Sequence, residues 1–177
     1  MTKPRSGYSP DILAEGLDVI FCGINPATSA ARDGYNFSHS SNRFWSVLHL
    51  ASFTGSRLEP YNERRLLEYG CGITAIVSRP TGRGHDISRE EFKRVRPMFE
   101  AKIGNCSPRS VAFLGKRAFA SMMGVPHVTW GRQPVRFAGT ISWILPNPSG
   151  RNRSFTQAAL VASYAELHMA LFRPCIA

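Results

Sequence analysis

Short apolar runs alternate along this chain with longer stretches in which apolar side chains recur every three or four positions. Val19–Cys22, Gly72–Val77, Ser110–Leu114, Val135–Phe137 and Ser142–Leu145 read as buried strands, the last two joined by a turn at Gly139. Asn42–Phe53 reads as a helix, with Phe44, Val47, Leu48 and Ala51 on one face. Glu59–Tyr69 is a second helix, stopped by Gly70, and Lys116–Met123 a short one. Ser88-Arg89-Glu90-Glu91 has capping-box spacing and opens a helix that Pro97 should break or kink. Ser154-Phe155-Thr156-Gln157 has the same spacing and opens the last helix, to about Leu171. Ala27–Ser40 is a long Gly/Ser/Asn loop after the first strand, a place where loops are more often functional than idle. Alternating strands and helices imply α/β architecture: a three-layer α/β/α sandwich around a mostly parallel sheet. Residues 11–177 are expected to form a single domain behind a flexible N-terminus, residues 1–10.

Composition narrows the function. An apolar content of 43% over 177 residues suits one globular core and argues against disorder. The net charge is +10, carried by 18 Arg and 4 Lys. Arg predominates where planar recognition of phosphate or guanine is needed. A basic surface also serves solubility, but this excess favours a nucleic-acid partner. Met1–Pro10 is polar, and no apolar stretch approaches membrane-spanning length, so a soluble, cytoplasmic protein without a membrane partner is expected. Cys22, Cys71, Cys106 and Cys175 are far apart, which speaks against a zinc or iron–sulfur site. Cys22 and Cys71 should be buried thiols. No Gly-x-Gly-x-x-Gly follows the first strand, and Gly115-Lys116 lacks the rest of a Walker motif.

The chemistry concentrates at two strand ends. Cys22-Gly23-Ile24-Asn25-Pro26 closes the first strand, and a residue before proline is driven out of the helical region. Asn25 should therefore stand extended at the carboxyl edge, where open α/β sheets carry their sites. The pattern recurs where Ser142–Leu145 is followed by Pro146-Asn147-Pro148-Ser149-Gly150, then Arg151 and Arg153.

The first loop continues through Gly34-Tyr35-Asn36-Phe37-Ser38-His39 to Asn42-Arg43-Phe44-Trp45. Together with Asn147-Pro148-Ser149-Gly150, Cys71-Gly72-Ile73-Thr74 and Leu114-Gly115-Lys116, it resembles the mismatch-specific uracil-DNA glycosylases, bacterial relatives of thymine-DNA glycosylase. The resemblance runs from about Asp11 to Phe172. It implies a uracil-DNA glycosylase-like sandwich, working as a monomer without cofactor or metal, that flips a base out of double-stranded DNA and hydrolyses its N-glycosidic bond. The catalytic asparagine of the family corresponds to Asn25. A neutral amide cannot deprotonate water, but it can aim one at C1′. Unaided by family likeness, Asn25 would read as a side chain capping its own turn.

The resemblance also assigns the pocket. Phe37 falls where an aromatic stacks on the flipped base, with Gly23, Ile24, Tyr35 and Asn36 around it. Asn147, Pro148, Ser149, Gly150, Arg151, Asn152, Arg153 and Ser154 form the loop that wedges the duplex and holds phosphates. Gly150 is expected to permit close approach to DNA. Relatives carry Leu where this chain has Arg151, so Arg153, with Arg151 as the alternative, is expected to fill the vacated stack and face the partner base. Ala27 replaces a glycine common in the family, which is costly only if that position needs positive φ. Ala75 lacks a lysine found nearby in some relatives. His39 reads as a loop-building residue, and Asp86, in the pair His85-Asp86, as a carboxylate behind the site. The expected activity is removal of uracil, best opposite guanine, at the start of base excision repair. Thymine, ethenocytosine or other damaged bases are further candidate substrates. Two rivals remain: a relative acting chiefly on deaminated purines, and a non-catalytic binder of mismatched or abasic DNA.

Overall fold

The computed structural model describes residues 10–172; the expected flexible N-terminus lies outside them except for Pro10, as does Cys175. Five strands, β1 (Val19–Gly23), β2 (Cys71–Ala75), β3 (Ser110–Leu114), β4 (Gly131–Phe137) and β5 (Thr140–Leu145), form one sheet in the order β2-β1-β3-β5-β4. All neighbours run parallel except β4, which is antiparallel to β5. The helices are α1 (Thr28–Asp33), α2 (Phe44–Leu50), α3 (Arg89–Cys106), α4 (Lys116–Met123) and α5 (Gln157–Phe172), with 3-10 segments at Pro60–Tyr69 and Gly84–Asp86.

The period of two along each strand divides the core. Val19 and Phe21 of β1, Ala112 and Leu114 of β3, and Trp143 and Leu145 of β5 face α2, α5 and the Pro60–Tyr69 segment. Ile20, Cys22, Val111, Phe113 and Ile144 face α3 and α4 on the other side. The result is the three-layer α/β/α arrangement expected from alternation. Cys22 and Cys71 are buried thiols. Burial raises both, Cys71 to about 12, so neither is a nucleophile at neutral pH.

Four local expectations are corrected. The Ala27–Ser40 loop contains α1, closed by Gly34 in the left-handed region with its N–H on the Ala30 carbonyl. Pro97 does not end α3, because buried Phe92 on one side and Phe99 and Ile103 on the other tie both halves to one core. The Glu59–Tyr69 stretch is 3-10 rather than α: Asn62 leaves helical dihedrals and its side chain takes the Glu59 N–H. The last helix begins at Gln157, not behind Ser154, since Thr156 Oγ1 accepts the Ala159 N–H. Further, β4 starts at Gly131, four residues earlier than expected; as an edge strand it tolerates Pro134. Its hairpin to β5 turns through Ala138 (φ 50°) and Gly139 (φ 75°).

Candidate active site

β1 pairs with β2 on one side and β3 on the other, so the chain changes direction of winding at the carboxyl ends of β1 and β3. A cavity of about 580 Å³ opens there, lined by the β1 end (Gly23, Ile24, Asn25), the β3 end (Leu114), the 27–42 loop and both flanking loops. Among the described residues no Asp or Glu lines it, whereas Arg32, Arg83 and Arg151 do. It suits an anionic ligand and holds no carboxylate to act as a general base.

The segment after β2 zips along the end of β1. Ile76 and Val77 donate backbone N–H groups to the carbonyls of Gly23 (3.0 Å) and Ile24 (2.9 Å), and Thr81 N–H donates to Pro26 (3.2 Å). Between those bonds lies Asn25. Its Nδ2 donates to the Arg79 carbonyl at 3.0 Å and to Thr81 Oγ1 at 2.8 Å. Thr81 Oγ1 spends its own proton on the Arg83 carbonyl (2.6 Å), so towards Asn25 it can only accept. The Asn25 amide is thus fixed with NH₂ inward and Oδ1 left to accept from a bound molecule. Arg79 is itself anchored, with Nε and Nη2 each 2.7 Å from the Glu91 carboxylate, which this pairing holds below the ordinary glutamate range.

Phe37 lines the same cavity with φ 51°, a strained value for a bulky residue and a frequent mark of functional positions. Its ring stacks on Phe44 at 4.0 Å and 27° and meets Trp45 edge-on, which leaves it as a backed aromatic wall. Asn36 is buried; Nδ2 donates to the Pro10 carbonyl, and its backbone N–H to Glu63 Oε2 at 2.7 Å. Burial raises Glu63 above the usual carboxylate range.

The loop after β5 is moulded from behind. The Arg43 guanidinium donates to the carbonyls of Phe155 (2.7 Å), Asn152 (2.9 Å), Ser149 (3.0 Å) and Pro148 (3.4 Å). Asn147 Oδ1 accepts the Ser149 N–H (2.9 Å) in an Asx turn, and the Asn147 carbonyl takes Asn152 Nδ2 (2.9 Å). Arg151 Nη1 reaches across the cavity to the Gly82 carbonyl at 2.8 Å. Arg153 has no side-chain partner among the described residues.

The profile of the Uracil DNA glycosylase superfamily matches residues 10–168. The chain belongs to that superfamily. Its fold is also similar to the solution NMR structure of a protein from Methanosarcina acetivorans taken to be a uracil DNA glycosylase. That likeness has a TM-score of 0.60 and 19% identity, and it covers 90% of this chain and 96% of the other. The structure brings the two strand-end loops named from sequence to one cavity.

Gly23, Ile24, Asn25, Asn36 and Phe37 line the cavity, as do Asn147, Ser149, Gly150 and Arg151. Tyr35, Pro148, Asn152, Arg153 and Ser154 are not part of the lining. Gly150 serves the protein itself: a Cβ there would sit 2.5 Å from the Ser41 carbonyl, so glycine lets this loop close on the first. Ala27 has φ −69°, so its replacement of glycine carries no strain. His39 Nδ1 accepts the Ser41 N–H (3.2 Å), which makes it a loop builder. Asp86 caps the Arg83 N–H within its own 3-10 turn, at 3.0 Å. Sequence reasoning missed Thr81 and the Arg79 carbonyl, and it quoted Arg43 without seeing its role.

Proposed function

We propose that the protein is a monofunctional DNA glycosylase that removes uracil, best opposite guanine, from double-stranded DNA. The carrying observation is Asn25, which lines a basic cavity with its NH₂ fixed by Arg79 and Thr81 and its Oδ1 left to accept, while no carboxylate lines that cavity among the described residues. In this reading Phe37 stacks on the flipped base. Asn25 Oδ1 accepts a hydrogen bond from a water and aims its oxygen at C1′. With no carboxylate among the described lining residues to deprotonate the water, the glycosidic bond breaks largely before the water attacks, leaving an oxocarbenium sugar and an anionic base, and the water's proton passes to the departed base or to solvent. The positive lining favours that anion. Ordered Arg43 contacts present the 147–153 loop to the duplex, and Arg153, uncommitted in the free protein, fills the space the base leaves. Arg151 is already engaged with Gly82, which supports this choice between the two. Among the described residues no lysine lies in the cavity wall, so strand cleavage through a Schiff base is not expected.

The test is excision from labelled duplexes carrying one uracil opposite G or A, with thymine, xanthine and hypoxanthine controls, followed by alkaline cleavage of abasic sites. The expected result is preferred excision from G·U that disappears in Asn25→Ala, while that variant still binds the duplex. Preference for xanthine or hypoxanthine would transfer the reading to purine lesions. Tight binding without excision of any base would make the protein a binder.

A further inference from the structure

Glu63 is a buried carboxylate, 8% exposed, on the 3-10 segment Pro60–Tyr69. Among the described residues no ion pair neutralises it; burial dominates, the Asn36 backbone and side chain both hydrogen-bond to it, and the charged group acting on it is Arg64, next to it in sequence. Burying an unpaired carboxylate is expensive, so its retention asks for a purpose. Its Oε2 accepts the backbone N–H of Asn36 at 2.7 Å. The Asn36 carbonyl accepts Trp45 Nε1 at 3.3 Å, and the Asn36 amide donates to the Pro10 carbonyl at 3.2 Å. One residue is thus gripped at N–H, C=O and side chain. The residue after it is Phe37, at φ 51°. A non-glycine residue holds such a conformation only where its surroundings over-determine it.

We infer that Glu63 is a positioning residue: through the Asn36 backbone its carboxylate sets the conformation in which Phe37 walls the cavity. Its kinetic consequence rests on the glycosylase reading, in which Phe37 stacks on the flipped base. The structural consequence does not.

A charged acceptor binds N–H more strongly than a neutral one. Protonating Glu63 therefore loosens the clamp, and excision should fall as pH drops through its raised pKa. Stability runs the other way. The folded chain keeps this proton to higher pH than the unfolded chain, so this group's contribution is full below the ordinary glutamate range and declines as pH rises through the folded value. Removing the charge should stabilise the fold at neutral pH.

Two variants separate these effects. Glu63→Gln keeps an acceptor oxygen and does not titrate. As a neutral acceptor it mimics the protonated carboxyl, so at neutral pH it should already excise at the reduced rate that the wild type reaches on its acid side, show no further acid-side fall, and melt higher. Glu63→Met fills similar space without an acceptor. It should lower kcat/KM for uracil excision on the order of tenfold or more, with faster amide exchange at Asn36 and Phe37. An unchanged acid limb in Glu63→Gln, together with wild-type exchange at Asn36 and Phe37 in Glu63→Met, overturns the inference. If Glu63→Met does not fold, the Glu63→Gln pH profile decides alone. If the wild-type protein excises no base, the glycosylase reading falls, and amide exchange still decides the clamp.

Discussion

At the scale of the residue, Asn25 is defined less by its own chemistry than by which of its atoms are spoken for. The Thr81 hydroxyl fixes which end of the amide points inward, because it donates to Arg83 and can only accept from Asn25. Thr81→Val removes that acceptor at almost constant volume. We expect single-turnover excision to fall roughly ten- to a hundredfold with duplex affinity unchanged, and Thr81→Ser to restore it. Loss of affinity in parallel with rate would instead mean that the 79–84 loop had collapsed. Asn25 itself was legible: a strand end followed by proline places it extended at the carboxyl edge. Thr81 was not, because it lies 56 residues along the chain and meets Asn25 only through the β1–β2 register. The meaning of Ala27 was equally hidden, since it depends on a dihedral angle and not on a pattern.

At the scale of the element, strands with continuous apolar runs were readable, and so was the parallel sheet that follows from alternating them with helices. The departures occur where tertiary contacts outvote local rules. α3 passes through Pro97 because its core-facing aromatics hold both halves. β4 hides behind Arg, Gln and Pro because an edge strand need not alternate cleanly. Arg43 belongs to the same class: its motif stood out, but four carbonyl acceptors on a distant loop could not be foreseen. Lysine has one nitrogen and no fork, and cannot serve all four. Arg43→Lys should therefore destabilise the fold by about 2 kcal/mol, the scale of lost hydrogen bonds to a charged group. It should also raise KM for duplex substrates by disordering the 147–153 loop. Thermal melting and steady-state kinetics check this together, and an unchanged KM would remove the loop from the DNA interface.

At the scale of the whole molecule, an excess of charge read from composition becomes a surface only once the fold says which edge carries the cavity. Trp130 offers a gauge of that edge. It directly precedes β4, whose first residue Gly131 pairs with Ile144 near the carboxyl end of β5. The indole meets Phe155 edge-on at 5.2 Å and carries the Lys116 ammonium 4.4 Å above its ring. Trp130 is 41% exposed, whereas Trp45 and Trp143 are 4% and 7% exposed, so among them solvent quenchers reach Trp130. A duplex laid across the carboxyl edge, with a phosphate drawn to Lys116, covers this indole. Adding duplex should then reduce acrylamide quenching of the wild-type emission and leave Trp130→Phe unaffected. The protection should fade as salt rises, because each phosphate neutralised contributes a slope of about −0.9 in log affinity against log salt. Quenching that ignores saturating duplex would place the DNA away from β4 and α4, confined to the β1 and β2 side of the cavity.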